Sequence, residues 1–300
     1  MSGDILVIGG HSKIGSALIE ELVRRGESVC ALVRAAEHGD SFPEGVQAVT
    51  GDLADADSLR SSLGGAERLF LLCGPAEDEV GLNRNAIDVA KEARIRLLVR
   101  SSILGSDPRS GATFVRDHGV CDAYLRDSGV PHAVLRPNMF MQNIAENTIP
   151  SIDDDGTFYA NAGDARISMV DTRDVAAVGA TLLTEPGHEQ RAYDVTGPEP
   201  LSYHDVASQL SDAMGRTITY VESPDEAVAS ALGGAGLGDW LVRALVELFA
   251  DYRRSGTHGF AAQVTNTVAQ LTGRVPRSLD QLLAEQITAD TPNDRRERVS

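Results

Sequence analysis

The chain of 300 residues is predicted to adopt an α/β fold built on a doubly wound parallel sheet. Three observations support this prediction: short apolar segments alternate with amphipathic ones, the first apolar segment runs into Gly9-Gly10, and polar residues directly follow several later segments. Segments that are apolar at every position are typical of parallel strands, because helices cover both faces of such a sheet. Right-handed crossovers then place a ligand at the carboxyl ends of the strands.

The first half of the chain supplies the elements of this sheet in alternation. Residues 4–8 form the first predicted strand, and Ile14, Leu18 and Leu22 have the spacing of a buried helix face that stops near Gly26. Further strands are predicted at 28–34, 46–53, 66–75, 95–103 and 131–137, with helices between them at 55–65, 79–94 and 114–129. The pattern predicts successive β–α units.

The second half of the chain, after about Asn138, has longer loops between short strands and helices. Ser202 is a predicted N-cap, with Asp205 at the position where a capping box prefers Glu or Gln. A mostly helical region at 224–255 carries an apolar stripe beside Trp240, formed by Leu241, Leu245, Leu248 and Tyr252. We interpret the stripe as a core face, with a lid or a dimer surface as the alternative.

The composition restricts the partners of this chain. A formal net charge of −17 argues against a general nucleic-acid binder and against docking on an anionic membrane, and favours a small-molecule partner. Cys30, Cys73 and Cys121 lack zinc spacing, so free thiols in a reducing cytoplasm and no metal site are expected. No signal peptide and no apolar stretch of about 20 residues is apparent, which also favours a cytoplasmic location. A homodimer remains open.

The segment ILVIGGHSKIG, residues 5–15, has the features of a phosphate-binding turn between a strand and a helix. Gly9 permits a tight turn, Gly15 permits close packing of helix and strand, and the helix N-terminus favours an anionic group. Ser12 stands where a third glycine is expected; it restricts the backbone, but its hydroxyl could donate to a phosphate oxygen. The alternative is a strand, turn and helix that bind no ligand.

Two further strand ends favour a dinucleotide. Arg34 ends the second predicted strand, where an acidic residue would bind the ribose of NAD, so an arginine favours the 2′-phosphate of NADP(H) over NAD(H). Asp52 follows the third strand and could lie near the adenine amino group. Alternatively, Arg34 is a surface charge and Asp52 is a helix N-cap.

These features together resemble the NmrA-like group of atypical short-chain dehydrogenase/reductases, which includes NADPH-dependent quinone reductases and azoreductase-like members. The resemblance covers nearly the whole chain and rests on stretches such as ILVIGGHSKIGSALIEELVRRG, GDLADADSL, SGVPHAVLRPNMFMQN and YDVTGPEPLSYHDVA. The usual glycine turn of this family is GxxGxxG, from which Ser12 departs. The resemblance implies an NADP-binding Rossmann domain at 1–140, a smaller α/β substrate-binding region at 141–290 interleaved with the Rossmann sheet, and a flexible tail at 291–300.

The resemblance also implies the residues around the cofactor, although each could instead be a structural strand end. The pyrophosphate would face the turn formed by Gly9, Gly10, His11, Ser12, Lys13, Ile14 and Gly15. Arg34 would bind the 2′-phosphate, and Asp52 and Leu53 would border the adenine. The ribose and nicotinamide would be lined by Leu72, Cys73, Gly74, Ser101 and Ser102, and the nicotinamide end closed by Pro137, Asn138 and Phe140.

The catalytic residues of ordinary short-chain dehydrogenases are missing. Their Tyr-x-x-x-Lys pair has no counterpart here, because Tyr124 is followed by Ser128 at that spacing. His118 and Asp122 lie four residues apart on one helix face and match the His-x-x-x-Glu arrangement of quinone-reductase-like members, with Asp for Glu. The carboxylate would orient the imidazole, raise its pKa and make His118 a proton donor. The alternative is a purely structural pair.

Another pair of carboxylates is interpreted as structural. In VDTRDVA, Asp174 reads as the N-cap of the next helix and Asp171 as a solvated strand end, not as catalytic groups. The apolar segment 138–143, with Trp240 and its helix, could form the wall of an aromatic or quinone pocket.

The leading hypothesis from the sequence is an NADPH-dependent reductase of a quinone or a related unsaturated carbonyl compound. Hydride transfer to an electron-poor ring needs little acid–base assistance, so a site without the Tyr/Lys pair is compatible with this reaction. Two alternatives remain: a redox-sensing regulator that binds NADP(H) without turnover, and a tailoring enzyme of a bacterial biosynthetic pathway.

Overall fold

The computed structural model describes residues 4–35, 39 and 41–290. Contacts between Cα atoms divide the chain into two units. The first unit comprises Met1–Pro137, Thr172–Val195 and Asn266–Arg274. The second unit comprises Asn138–Asp171, Thr196–Thr265 and Val275–Ser300, so the chain passes between the units several times. The predicted tail at 291–300 lies outside the described residues.

The first unit contains a parallel sheet of seven strands in the order β3-β2-β1-β4-β5-β6-β8. Its strands are β1 (Ile5–Ile8), β2 (Val29–Val33), β3 (Gln47–Thr50), β4 (Arg68–Leu71), β5 (Leu97–Ser101), β6 (His132–Pro137) and β8 (Arg191–Val195). The predicted doubly wound parallel sheet is therefore confirmed. The strand order reverses direction beside β1, which creates a crevice at the carboxyl ends of β1 and its neighbours.

Helices cover both faces of this sheet. They are α1 (Lys13–Arg24), α2 (Ala56–Ser62), α3 (Glu79–Glu92), α4 (Thr113–Ser128), α5 (Thr172–Thr184) and α9 (Thr267–Thr272). One core joins Leu6 and Ile8 of β1 to Leu59, Ile87 and Leu125 of α2, α3 and α4. Helices α1 and α5 pack on each other, and α5 also contacts β4, β5 and β6. Burial on both faces explains why the central strands β1, β2 and β4 are largely apolar, whereas the edge strands β3 and β8 carry exposed polar residues.

The second unit is built around its own apolar core. Its strands β7 (Thr157–Ala160) and β9 (Thr219–Glu222) form a parallel pair in which Phe158 lies opposite Tyr220. Its helices are α6 (Tyr203–Met214), α7 (Asp225–Gly234), α8 (Asp239–Ser255) and α10 (Leu279–Asp290). Tyr252 of the predicted α8 stripe is buried in this core, and Leu248 packs against it. The core-face interpretation of that stripe holds for these two residues.

Local signals predicted the ends of several helices. The Ser202 side chain accepts a hydrogen bond from Asp205 N, and the Asp205 side chain accepts one from Ser202 N, so the predicted capping box is present. The interpretation of VDTRDVA was wrong: α5 begins at Thr172, Asp174 lies within its first turn, and Asp171 is completely buried. None of the described helices is both long and apolar enough to cross a membrane.

Gly119 sets the distance between α4 and the loop that follows β5. A Cβ atom at this position would overlap the backbone of Asp107 and Pro108. Asp107 N also donates to the carbonyl of Val115, so the loop and the helix are joined by a hydrogen bond. Glycine at 119 is required by this contact, even though it weakens a helix interior.

We expect Gly119→Ala to lower the free energy of unfolding by about 1–3 kcal/mol, because the loop must move to accommodate the new methyl group. Gly233→Ala in α7 is the matched control, since open space surrounds that position. This control should leave stability unchanged or raise it by up to about 1 kcal/mol. Urea denaturation measures both changes, and equal stability of the two variants would contradict the packing argument.

Candidate functional site

A cavity of about 600 Å³ opens at the carboxyl ends of β1, β2, β3 and β4 in the first unit. Most of the residues that the sequence singled out for the cofactor line it: Gly9, Gly10, His11, Ser12, Arg34, Asp52, Leu53, Leu72, Cys73 and Gly74. Residues from separate strand ends meet here because parallel strands finish at the same edge of the sheet. Their role in cofactor binding remains a prediction.

The turn between β1 and α1 fits a close backbone approach. Gly9 has φ +86°, a left-handed conformation that favours glycine, and a Cβ atom there would lie 2.7 Å from the Leu72 carbonyl oxygen. At Gly15, a Cβ atom would overlap the carbonyl oxygen of Gly9, so the first turn of α1 presses against the turn itself. Lys13, Ile14 and Gly15 are the first residues of this helix, whose N-terminus carries partial positive charge. The cradle therefore suits a pyrophosphate.

Ser12 is the N-cap of α1, a role that the sequence analysis did not consider. Its Oγ accepts a hydrogen bond of 3.0 Å from Gly15 N, and its backbone is extended, with φ −74°. The position therefore does not require glycine. Because the Oγ acts as an acceptor toward Gly15, the hydroxyl proton is still available to a phosphate oxygen. The departure from GxxGxxG is compatible with phosphate binding.

Arg34 is exposed at the end of β2 and lines the cavity. Within the part of the chain that the structure describes, it is the only arginine or lysine among the lining residues, and its guanidinium has no hydrogen-bond partner. A guanidinium without a protein partner at this edge suits a phosphate group, which it can bind through two parallel hydrogen bonds. The chain thus provides both features that NADP(H) needs, the turn and the arginine.

The alternative role of Asp52 as a helix N-cap is wrong. Asp55 caps α2 by accepting from Asp57 N and Ser58 N, whereas Asp52 Oδ1 accepts from Ala54 N at 2.9 Å in a local turn. The adjoining Leu53 carbonyl is held by Asn85 Nδ2 of α3 at 3.0 Å. These contacts give the third strand end a fixed shape at the border of the cavity.

The remaining predicted cofactor residues do not line this cavity. Ser101 and Ser102 are buried, and the Ser102 hydroxyl donates to Asp122 at 3.0 Å. In the first unit, the Pro137 carbonyl accepts from Leu104 N. Asn138, in the second unit, uses both ends of its amide, donating to the Ala261 carbonyl and accepting from Met139 N. Phe140 forms a backbone bridge with Val170. These contacts show that the residues have structural roles within the protein. Their cofactor roles stay predictions.

A buried polar network surrounds Arg100, whose side chain on β5 is only 1% exposed. The Nε donates to Asn83 Oδ1 at 2.8 Å, and one terminal nitrogen donates to Asp122 Oδ1 at 2.6 Å. The other terminal nitrogen lies 3.0 Å from His118 Nδ1 and 3.5 Å from Glu79 Oε1. A buried guanidinium must satisfy its donors in this way, because an unpaired charge in the interior is strongly destabilising.

The predicted pairing of His118 with Asp122 is wrong. Asp122 Oδ1 is taken by Arg100, and its Oδ2 accepts from Ser102, Ser106 and Arg136, so the carboxylate serves the network. No hydrogen bond joins the described side chains of His118 and Asp122. Burial, together with the neighbouring Arg100 charge, lowers the pKa of His118 well below its ordinary value, where the sequence predicted an increase. The imidazole is therefore neutral at pH 7.

The predicted absence of an ordinary short-chain dehydrogenase tyrosine agrees with the position of Tyr124. Its hydroxyl donates to Asp88 Oδ1 at 2.8 Å, and the Arg84 guanidinium lies over its ring.

Burial raises the pKa of the Cys73 thiol to about 12 and that of Cys121 to about 11, so both are protonated and neither is a nucleophile at neutral pH. Among the described residues, no group of side chains is arranged to hold a metal ion.

Glu79 and Arg100 were not predicted as site residues from the sequence. Arg100 had a visible signal, since it is a charged residue inside an apolar segment predicted to be a fully buried strand. Such a residue needs a buried partner, and Glu79 is 2% exposed with its Oε1 3.3 Å from His118 Nδ1. Nothing in the local sequence of Glu79 distinguishes it from the surrounding acidic residues at the start of α3.

We expect Ser12→Ala to lower the free energy of unfolding by about 1 kcal/mol, because the cap of α1 is lost. Ser12→Gly, which restores the usual family residue, should cost only roughly 0.3 kcal/mol. Thermal or urea unfolding of the protein without cofactor tests this order. If the alanine variant were as stable as the parent, the capping role of Ser12 would be refuted.

Comparisons with known proteins identify the family. Residues 9–186 match the model of a family described as NAD(P)H-binding. The NAD(P)H azoreductase of Xenophilus azovorans is 36% identical, over 91% of this chain and 94% of that protein. The (4-alkanoyl-5-oxo-2,5-dihydrofuran-3-yl)methyl phosphate reductase of Streptomyces griseus is 32% identical, over 96% of this chain and 99% of that protein.

A solved structure agrees in fold and in cofactor class. The NADPH-dependent quinone oxidoreductase QOR2 of Escherichia coli, crystallised with NADPH, superimposes with a TM-score of 0.85 at 25% identity. The match covers 94% of this chain and 99% of that one. The predicted class of NAD(P)H-dependent oxidoreductase is the class of these relatives. The chain belongs to the NAD(P)H-binding family whose model covers more than half of it, in agreement with the NADP-binding class that its motifs indicated.

Proposed function

We propose that this protein is an NADPH-dependent reductase of quinones or related electron-poor conjugated compounds. The observation that carries this proposal is the cavity in which the β1–α1 turn and Arg34 meet. When bound there, reduced nicotinamide supplies a hydride. The named substrates of the relatives are azo compounds, an unsaturated lactone and quinones, all of which accept a hydride into a conjugated system.

The geometry of the cavity supports an assignment of the residues that would hold the cofactor. The N-terminus of α1, with the Ser12 hydroxyl, would bind the pyrophosphate, and Arg34 would bind the 2′-phosphate. Asp52 and Leu53 would border the adenine. The Cys73–Gly74 end of the cavity would approach the nicotinamide ribose.

A reductase of quinones suits the catalytic equipment of this chain. Ketone reduction needs a strong proton donor for a developing alkoxide, and the Tyr/Lys pair that provides it elsewhere has no counterpart here. An electron-poor ring delocalises the added charge, so its reduction depends less on a strong proton donor. We assign the donor role to His118 in this proposal.

A second candidate is a tailoring reductase of a bacterial biosynthetic pathway. It is favoured by the Streptomyces relative, which acts on an unsaturated lactone phosphate and matches almost the full length of this chain. Both candidates require hydride transfer from the same cavity. They differ only in the acceptor, and region 141–290, segment 138–143 and Trp240 stay the parts of the chain predicted to bind it.

The cellular setting is part of the proposal. A reducing cytoplasm supplies NADPH and suits the three free cysteines. The net charge of −17 disfavours nucleic acid as a partner. A homodimer is compatible with the proposed function.

We expect the purified protein to oxidise NADPH in the presence of simple benzoquinones or naphthoquinones, measured by the loss of nicotinamide absorbance. Unsaturated lactones and azo dyes belong in the same panel, since a preference among them separates the two candidates. Circular dichroism confirms that the sample is folded. Tight NADPH binding without turnover of any acceptor would favour a sensor and overturn the proposed reductase.

We expect Arg34→Ala to weaken NADPH binding by about 10- to 100-fold, the loss of a charge-assisted contact to the 2′-phosphate, and to leave NADH binding nearly unchanged. Arg126→Ala is the matched control, because Arg126 is exposed on α4 and forms an ion pair with Asp127 at the surface, away from the cavity lining. Fluorescence titration with both nucleotides measures the ratio. A retained preference for NADPH in Arg34→Ala would show that another residue recognises the 2′-phosphate.

A further inference from the structure

We propose that Glu79 is the proton reservoir behind His118: a proton passes from Glu79 Oε1 to His118 Nδ1 while His118 Nε2–H protonates the substrate. Glu79 is a positioning residue in this scheme, because it acts through His118. The inference rests on the proposed reductase function and extends it from the hydride to the proton.

The geometry that carries this proposal is a triangle of three buried polar atoms. Arg100 Nη2 lies 3.0 Å from His118 Nδ1 and 3.5 Å from Glu79 Oε1, and these two atoms are 3.3 Å apart. A guanidinium only donates hydrogen bonds. When Arg100 donates to Nδ1, that nitrogen carries no hydrogen, and the neutral imidazole has its proton on Nε2.

A proton between Glu79 and His118 would stabilise their contact. A carboxylate oxygen and an unprotonated Nδ1 at 3.3 Å would place two lone pairs against each other in a buried site. With the proton on Glu79, Arg100 donates to Nδ1. With the proton on Nδ1, Arg100 donates to the Glu79 carboxylate. Arg100 can stabilise either position, and the distances are as long as those common in free enzymes.

Burial, more than the surrounding charges, favours this proton on Glu79 near neutral pH. Burial raises the pKa of Glu79 to about 7; Arg100 opposes the increase, and Asp117 and Asp122 add to it. Burial and Arg100 lower the pKa of His118. The Cys73 thiol, which lines the cavity, lies within electrostatic range of Glu79 and is protonated.

The proposed step balances. A quinone becomes a hydroquinone by taking up one hydride, from reduced nicotinamide, and one proton. His118 Nε2 gives the proton, Nδ1 takes one from Glu79, and the histidine ends neutral with its proton on Nδ1. Glu79 is left as a carboxylate beside Arg100, which compensates the new charge, and solvent then returns a proton. Asp122 does not fill this role, because both of its oxygens already accept hydrogen bonds.

The decisive experiment follows single-turnover quinone reduction against pH in the parent protein, Glu79→Gln and Glu79→Asp. The parent rate should fall as pH rises through about 7, where Glu79 loses its proton. Glu79→Gln should be slower by about 10- to 100-fold at pH 6 and lose this pH dependence, whereas Glu79→Asp should retain it. The control Glu77→Gln removes an exposed carboxylate two residues away and should match the parent.

A measurement on the protein without cofactor separates the proton pair from catalysis. In protein labelled with ¹⁵N-histidine, the Nδ1 resonance of His118 should respond to a titration near pH 7 that is absent in Glu79→Gln. If that titration is seen but no quinone is reduced, the reductase function fails while the proton pair stands. A pH dependence that persists in Glu79→Gln, or a His118 resonance insensitive to pH in the parent, would overturn the reservoir.

Discussion

The burial of the Arg100 guanidinium is the constraint on which the polar half of this site depends. A charge that is almost fully removed from water must be matched donor by donor, and Arg100 finds its partners on two helices: Asn83 and Glu79 on α3, and Asp122 and His118 on α4. These contacts fix both helices relative to β5. They also determine which carboxylate serves His118, because Arg100 and Arg136 together occupy Asp122.

The nucleotide half of the site depends on backbone contacts instead of buried charge. The first turn of α1 presses on Gly9, which requires glycine at position 15, and Ser12 then caps the helix without a left-handed conformation. The turn and the N-cap that precede that helix line a cavity with an exposed arginine at its border. A preformed, solvent-accessible cradle suits a cofactor that enters and leaves in each cycle, whereas a fixed buried network suits groups that only exchange a proton.

Much of the fold could be predicted from the sequence, and the reason is physical. In the centre of a sheet covered on both faces, each strand position is buried, so a run such as Ile5–Ile8 is recognisable without any knowledge of its neighbours. Caps such as Ser202 depend on residues within one helical turn. The residues at the strand ends came together because topology alone brings them to one edge. The hydrogen-bond partners inside the buried network could not be predicted in this way. The spacing of His118 and Asp122 placed them on one helix face, but the Asp122 carboxylate binds Arg100, which lies 22 residues earlier in the chain.

The local contacts of Ser12 and Asp122, the two departures from the family pattern, are compatible with the proposed site. Ser12 caps the start of α1, because its Oγ accepts a hydrogen bond from Gly15 N. The hydroxyl proton can still be donated to a phosphate oxygen. Asp122, in the place of a glutamate, reaches Arg100, Ser102, Ser106 and Arg136 but not His118, which leaves the imidazole to Glu79. Because other side chains occupy the Asp122 carboxylate, Glu79 is the protonatable carboxylate beside the imidazole. In the proposed reaction, the hydride would come from the exposed cavity and the proton from the buried network, both of which lie in the first unit.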